Sequence, residues 1–355
     1  MTVHHLVTGG CGFVGRNLTR RLLPAHPAAT IWVVDDLSTG RKPAAWLPAE
    51  MKAAEHAGCM TRYAAPGLAE LVVAECDMLD YLRPDQEFEA LHGPHLERPA
   101  AYADAFHFAA VVGGRVKIET DPIQVALDLA LDARFFAWAV KNRPTRILYA
   151  SSSAAYPIDL QADEASRPLR ESDISFESRL GKPDMTYGWA KLTGEYLARL
   201  AARDYGLHVA CIRPFSGYGE DQEPEYPIPA IARRAAARED PLTVWGTGRQ
   251  GRDFVHIDDC VEGILLALER ISDGSAVNLA SGALTTFLEV AALFAQLAGY
   301  KPTIRPLSDM PSGVHARCGD TRLAEETLGW RPRISLEQGF ARVLSTAERT
   351  LRHPS

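Results

Sequence analysis

Residues 5–23 read HLVTGGCGFVGRNLTRRLL. A short apolar run enters glycines, and the glycines enter a segment with Phe13, Val14, Leu18, Leu22 and Leu23 at helical spacing. The pattern predicts a strand, a tight turn and a helix. Gly9, Gly12 and Gly15 stand at three-residue spacing, which lets backbone N–H groups and a helix N-terminus approach a pyrophosphate. Glycines also serve ordinary turns, so the triplet needs context. A second apolar strand, TIWVVDD at 30–36, brings Asp35 to the place where an acid accepts from both ribose hydroxyls of NAD and repels the 2′-phosphate of NADP. Arg41 and Lys42 follow, which leaves NADP open. Strand, turn, helix, strand and acid together predict a dinucleotide site.

Outward from this unit the pattern repeats. LAELVVAECDMLD, residues 68–80, reads as a strand followed by Asp77, placed to reach an adenine. Residues 83–103 are rich in Pro, His and charge and read as a surface excursion. AFHFAAVVGG, residues 105–114, reads as a further strand ending in small residues that let a cofactor lie against backbone. His107 reads as a packed strand histidine. His92 and His95 share a loop with no cysteine partner, so no metal is expected there. Repeated strand–helix units predict an α/β fold with a parallel, doubly wound sheet. The expected cofactor contacts are Gly9, Gly12, Phe13, Val14, Gly15, Asp35, Asp36, Asp77, Met78, Phe108, Ala109, Ala110 and Pro214.

The chain has 355 residues, 46% hydrophobic and 23% charged, with room for two lobes. A formal charge of −7 gives no support for a nucleic-acid partner. No apolar run approaches the roughly 20 residues that span a bilayer, and the N-terminus enters a strand without a basic leader. Six scattered cysteines form no CxxC pair and read as reduced thiols of a cytoplasmic protein. We expect a dinucleotide lobe over residues 1–185, with later segments crossing back, and a smaller α/β substrate lobe over 186–355.

The chemistry points to two stretches. ILYASSSAAYP, residues 147–157, is a strand that breaks into Ser151, Ser152 and Ser153, then Ala154, Ala155 and Tyr156. DMTYGWAKLTGEYLARLAARDYG, residues 184–206, reads as an amphipathic helix with Tyr187 and Lys191 on one face. A YxxxK pair alone is common. After a dinucleotide fold and a strand ending in serines it is specific.

The chain resembles the extended short-chain dehydrogenase/reductase family of the nucleotide-sugar epimerase and dehydratase type. The resemblance is carried by TGGCGFVG, DDLSTG, CDMLD, HFAA, YASSSAAYP, YGWAK, RPFSGYG, GRQGRDFVHIDDCVEGI and ARCGDTRLAEETLGW. It implies a Rossmann-type fold, bound NAD, Tyr187 as acid/base, and Lys191 as ribose contact and depressor of the tyrosine pKa. A free tyrosine near pKa 10 needs about 4 kcal/mol of differential stabilisation to drop by about 3 units. The resemblance places a hydroxyl that bonds the reacting sugar on Ser152, with Ser153 as the one-residue-shift rival. The family's dehydratases carry an Asp-Glu pair, and its decarboxylases a Glu, where this chain has Ser153 and Ala154. The wording is closest to the GDP-mannose 3,5-epimerases and UDP-sugar 4-epimerases. The 3,5-epimerase cysteine falls on Ala154, and its lysine is missing from GEDQEPEYPIP, residues 219–229.

In the second lobe the resemblance puts Arg252 and Arg317 on the substrate diphosphate, with structural ion pairs as the alternative. Two guanidinium forks suit two phosphates. Ser216 stands where relatives often have an Asn, Trp245 is open between base pocket and packing, and Asp320 between ribose contact and helix cap. PLTVWGTGRQGRDFVHIDD, residues 241–259, reads as a hairpin beside the nucleotide. The family is often dimeric, and residues 122–141 and 187–204 are the candidate helices. The leading expectation is redox-neutral C4 epimerisation of a nucleotide-diphosphate sugar. A 3,5- or 2-epimerase, a net dehydrogenase or reductase, and a non-catalytic dinucleotide sensor remain the alternatives.

Overall fold

The computed structural model describes residues 2–111, 115–162, 167–178 and 180–352. The chain begins β1 (Val3–Thr8), α1 (Phe13–Ala25), β2 (Ala29–Asp35), β3 (Lys52–Ala57), β4 (Met60–Ala64), β5 (Glu70–Glu75) and α2 (Met78–Tyr81). It continues α3 (Asp85–His92), β6 (Asp104–His107), α4 (Arg115–Thr120), α5 (Pro122–Val125), α6 (Asp128–Asn142), β7 (Arg146–Ala150) and α7 (Met185–Tyr205). Then come β8 (Val209–Pro214), β9 (Ser216–Tyr218), α8 (Pro227–Ala236), β10 (Leu242–Trp245), β11 (Gly251–His256) and α9 (Ile257–Arg270). Last are β12 (Asp273–Leu279), β13 (Leu284–Thr286), α10 (Phe287–Leu297), β14 (Ile304–Leu307), β15 (Ala316–Arg317), α11 (Arg322–Leu328) and α12 (Leu336–Arg352).

A nine-stranded sheet in the order β12-β8-β7-β6-β1-β2-β5-β4-β3 forms the centre. From β12 to β5 all pairings are parallel, and β4 and β3 extend the edge antiparallel. Its strands are buried on both faces, so their side chains alternate between two cores. Val7, Ile31, Val33, Leu71 and Val73 pack toward α1 and α9, against Leu18, Leu22 and Ile264. Leu6, Trp32, Val34 and Val72 face the other way with Phe135 and Phe136 of α6 and Ala198 of α7. The sheet takes β8 and β12 from beyond residue 186, and α9 lies on its first face. A separate core of Tyr218, Ile231, Val244, Phe254, Phe294 and Phe340 builds the second lobe from α8, α10, α12 and short strands.

Three expectations change. Residues 241–259 are not a hairpin: β10 pairs with β14, whereas β11 pairs with β9, β13 and β15 in another sheet. The excursion at 83–103 contains α3, which buries Phe88, while Leu96 fills the same core. The strand in AFHFAAVVGG ends at His107, and residues 112–114 lie outside the described residues. The β3–β4 pair was not expected at all. Among the described residues no helix is long and apolar enough to cross a membrane.

Candidate active site

The glycine turn comes first. Gly9 has φ +67°, and a Cβ on it would stand 2.6 Å from the Ala109 nitrogen. A Cβ on Gly15 would stand 2.3 Å from the Gly9 oxygen. The turn therefore closes against the end of β6 only with glycines present. Gly12 caps α1 with no side-chain bond, and the first turn of α1 carries no acid, so its N–H groups are left for an anion. Phe13, Val14, Phe108, Ala109 and Ala110 are all half-buried, and Phe108 and Ala109 lie against Gly9. Asp35 accepts from the Cys11 and Leu37 nitrogens at 2.8 and 2.9 Å, tying the second strand's acid to the turn. Burial raises its pKa against those bonds. Asp36 is exposed and accepts from the Ser38 nitrogen at 2.9 Å. Asp77 caps α2 through the Leu79 nitrogen at 2.7 Å, and Met78 is buried behind it. Pro214 ends β8. The cradle fits a dinucleotide.

The serine turn lies farther along the same sheet edge. β7 ends at Ala150, and Ser152 adopts extended backbone and caps a short 3-10 turn, accepting from the Ala154 nitrogen at 3.1 Å. The start of α7 packs directly on this turn. The Asp184 nitrogen donates to the Ala154 oxygen at 3.0 Å, and a Cβ on Gly188 would stand 2.3 Å from that oxygen. This close approach brings Tyr187 beside Ser152, whose hydroxyl works to lower the tyrosine pKa. Ser153 is buried, and Ser151 is spent on Glu195.

Lys191 lies one turn beyond Tyr187, 3% exposed, with its ammonium 5.8 Å from the Tyr187 ring centre and 5.4 Å from that of Tyr149. Burial pushes its pKa down, but Asp132, Tyr187 and Asp128 more than reverse this, so Lys191 stays charged. Asp132 accepts from Tyr149 at 2.6 Å and bonds His107 Nε2 at 3.0 Å, while His107 Nδ1 meets the Thr8 hydroxyl at 2.7 Å. Burial lowers the His107 pKa, so the ring is neutral, and the bonds then assign the proton to Nε2. His107 is the packed strand histidine expected, stacked on Phe135 at 4.1 Å, and through Asp132 it also supports Lys191. Burial also lifts Tyr187 above its ordinary pKa, with Lys191 opposing. The ammonium alone does not make the phenol a base.

Asp128 and Asp132 were missed in the sequence. The signal was there: two acids at i, i+4 on a helix whose neighbours Phe135, Phe136 and Ala139 are all core residues. Asp128 accepts from the Val111 nitrogen through one oxygen, and its other oxygen has no partner. Burial pushes its pKa up to about 6, with Lys191 opposing.

In the second lobe Arg252 and Arg317 occupy directly paired positions of β11 and β15. Arg317 donates to Gln161 at 2.6 Å and to Asp184 at 2.7 Å, and Arg252 donates to the carbonyls of Gly251, Val314 and Ser312. A cavity of about 350 Å³ opens beside them, lined by Ile158, Lys182, Asp184, Met185, Thr186, Gly313 and Val314. Ser216 lies on β9 and Trp245 ends β10, partly exposed. Asp320 accepts from the Arg322 nitrogen at 3.0 Å at the start of α11 and pairs with the Arg322 side chain. Among the described residues no group of three His, Cys, Asp or Glu could hold a metal.

Residues 5–280 match the NAD dependent epimerase/dehydratase family. The chain belongs to this family. Its cofactor is NAD, and its fold is that of nucleotide-sugar epimerases and dehydratases. It is 28% identical to a GDP-L-fucose synthase of Sinorhizobium fredii over 77% of this chain and 86% of that one. It is 30% identical to the GDP-mannose 3,5-epimerase of Arabidopsis thaliana over 66% of this chain and 62% of that one. The structure of MoeE5 in complex with UDP-glucuronic acid and NAD superposes with a TM-score of 0.73 at 26% identity, over 98% of this chain and 99% of that one.

Two predictions follow from this family member's site. Tyr187→Phe should lower turnover by ~10²–10⁴-fold while the purified protein retains its NAD. Ser152→Ala should slow turnover more than Ser153→Ala, and a Tyr187→Phe rate within about threefold of wild type would refute the assignment. The second concerns Asp128. Its folded pKa of about 6 lies above the ~3.9 of a free aspartate, so stability is withdrawn as pH rises between those values. Asp128→Asn should therefore melt higher than wild type at pH 8, by on the order of 1–3 kcal/mol, with the margin closing toward acid pH. A margin independent of pH would contradict this.

Proposed function

We propose that this enzyme is a nucleotide-sugar 4-epimerase that works through a transient 4-keto sugar. The observation that carries the reading is Ala154. It is buried against the start of α7, in the turn that presents Ser152 to Tyr187, and offers neither acid nor base. Asp184, the carboxylate nearest in the chain to this contact, is held by Arg317. Cys11, Cys211 and Cys260 are buried with raised pKa values, burial being the main cause in each, so no thiolate forms there near neutrality.

When bound, NAD supplies a reversible hydride acceptor. The residues do the rest. Tyr187 takes the proton of the C4 hydroxyl, with Ser152 bonded to the same oxygen to fix its direction. Lys191 lowers the charge cost at Tyr187 while Asp132 keeps the ammonium in place. The 4-keto sugar then turns, so that the hydride held by the cofactor would return to the other face of C4 while Tyr187 returns the proton to the C4 oxygen. Arg252 and Arg317 suit the diphosphate, whose oxygens can replace their present acceptors and leave the nucleotide fixed while the sugar rotates. Dehydration or decarboxylation would need an acid or base where Ser153 and Ala154 stand.

We also propose a homodimer through the outer faces of α5, α6 and α7, where Ile123, Leu127, Trp189 and Tyr196 are exposed. A cytoplasmic setting suits the six free thiols.

Incubation with a panel of nucleotide sugars in deuterated water, read by NMR, tests the chemistry. We expect inversion at C4 alone and no deuterium on carbon. Deuterium at C3 or C5 would move the enzyme to 3,5-epimerisation. Light scattering tests the assembly: the wild type should measure as a dimer and Trp189→Glu as a monomer, and a monomeric wild type would end the dimer proposal.

A further inference from the structure

The segment GEDQEPEY, residues 219–226, leaves the second lobe and lies on the dinucleotide half. One end stands on the glycine turn. A Cβ on Gly219 would be 3.3 Å from the Phe13 ring, at the first residue of α1. Asp221 accepts from Arg16 Nε at 2.9 Å and from Asn17 at 3.1 Å, and it also pairs with Arg20. Glu223 lies 2.9 Å from Arg16 Nη1 and 3.5 Å from Arg41 Nε. Arg16 is fully buried and reaches back to the Cys11 carbonyl of the turn at 3.3 Å. The other end of the segment, Tyr226, is mostly buried and lies within electrostatic reach of Tyr187: burial first, then the Tyr187 phenol, raises its pKa.

The two ends of this segment thus stand at the two ends of the cofactor site, the pyrophosphate turn and the acid/base. We infer that residues 219–226 form a strap across the bound dinucleotide, latched by Asp221 and Glu223 onto Arg16, Arg20 and Arg41, and that this latch sets how slowly NAD leaves. The charges agree. Two carboxylates beside a pyrophosphate would repel it, but the guanidinium groups of Arg16, Arg20 and Arg41 meet Asp221 and Glu223, while Glu220 is turned to His256. Arg41, which the sequence left open as an NADP contact, is turned toward Glu223.

The latch also holds at working pH. Burial works to raise the Asp221 pKa, but Arg16, Asn17 and Arg20 outweigh it and leave the carboxyl below its usual range. Its contribution is therefore present above the ordinary carboxylate pKa and is lost only as pH falls through the lower folded value. A redox-neutral enzyme gains from such a strap, because a cofactor reduced in one half-reaction must stay to be reoxidised in the next.

Cofactor exchange tests the strap whichever sugar carbon is inverted, so deuterium at C3 or C5 would leave it untouched. Holoenzyme is mixed with excess 1,N6-etheno-NAD, and loss of resident NAD is timed after desalting. The double variant Asp221→Asn, Glu223→Gln should exchange at least about tenfold faster, the loss of about 1.4 kcal/mol of holding free energy. Arg20→Gln and Arg41→Gln, whose side chains are about one-third exposed, should fold even if the double variant does not, and each should exchange about threefold faster. A merely structural ion cluster would lower the melting temperature and leave exchange alone. Rates within about twofold of wild type in the folded variants would overturn the inference.

Discussion

Arg213 and Glu195 form a buried ion pair, each about 2% exposed, and the active-site turn depends on it. Glu195 receives two bonds from Arg213, at 2.9 and 2.7 Å, and one from Ser151. The Arg213 Nη1 donates to the Tyr156 hydroxyl at 2.9 Å, and Tyr156 donates to Asn278 at 2.8 Å. The turn 151–156 is thereby fastened at both ends, to α7, β8 and β12. Tyr187, Lys191 and Glu195 follow at four-residue steps along one stripe of α7. The helix that carries the acid/base therefore also carries the anchor of the loop that bears Ser152. Removing one partner would leave a desolvated charge, at a cost of about 3–5 kcal/mol. The turn that bears Ser152 is thus held beside Tyr187 by a pair that is costly to break.

The electrostatics of the stripe divide the work. At rest the phenol of Tyr187 holds its proton, because burial outweighs the pull of Lys191. Asp132 and Asp128 keep Lys191 charged, but both also raise the Tyr187 pKa, so the carboxylates limit the base strength of the empty cradle. A further positive charge beside the phenol would lower its pKa in the same sense as Lys191. The positive nicotinamide of a bound oxidised NAD would act with Lys191 in that sense.

Local pattern made much of this legible. The glycine turn, Asp35, the serine strand and Tyr187/Lys191 each lie within a short window, where periodicity and spacing speak directly. Asp128 and Asp132 escaped although they stand four apart on one helix, and the other site contacts that escaped are long-range. Arg213 meets Tyr156 across 57 positions, and Arg317 meets Asp184 across 133. β10 and β11 are close in sequence and look like a hairpin, yet their partners β14 and β15 lie far along the chain. The β3–β4 edge hid for another reason. KAAEHA is exposed along almost its whole length, so no apolar alternation marks it, and a register shift near Ala53 breaks the ladder.

The same long-range contacts join binding to chemistry. Asp184, which takes the Arg317 guanidinium, donates its nitrogen to the Ala154 carbonyl and is the residue immediately before α7. A strand of the second lobe is thereby fixed to the first turn of the helix that holds Tyr187. Arg252 lies directly beside Arg317 on β11, and β11 pairs with β9, which leads into the 219–226 segment. One short sheet therefore sets the position of Arg252 and Arg317, the start of α7 and the root of the segment that reaches the glycine turn. A phosphate that draws on Arg317 competes with Asp184 for the same forked donors. Asp184, the acceptor it would displace, stands immediately before α7 and three residues before Tyr187.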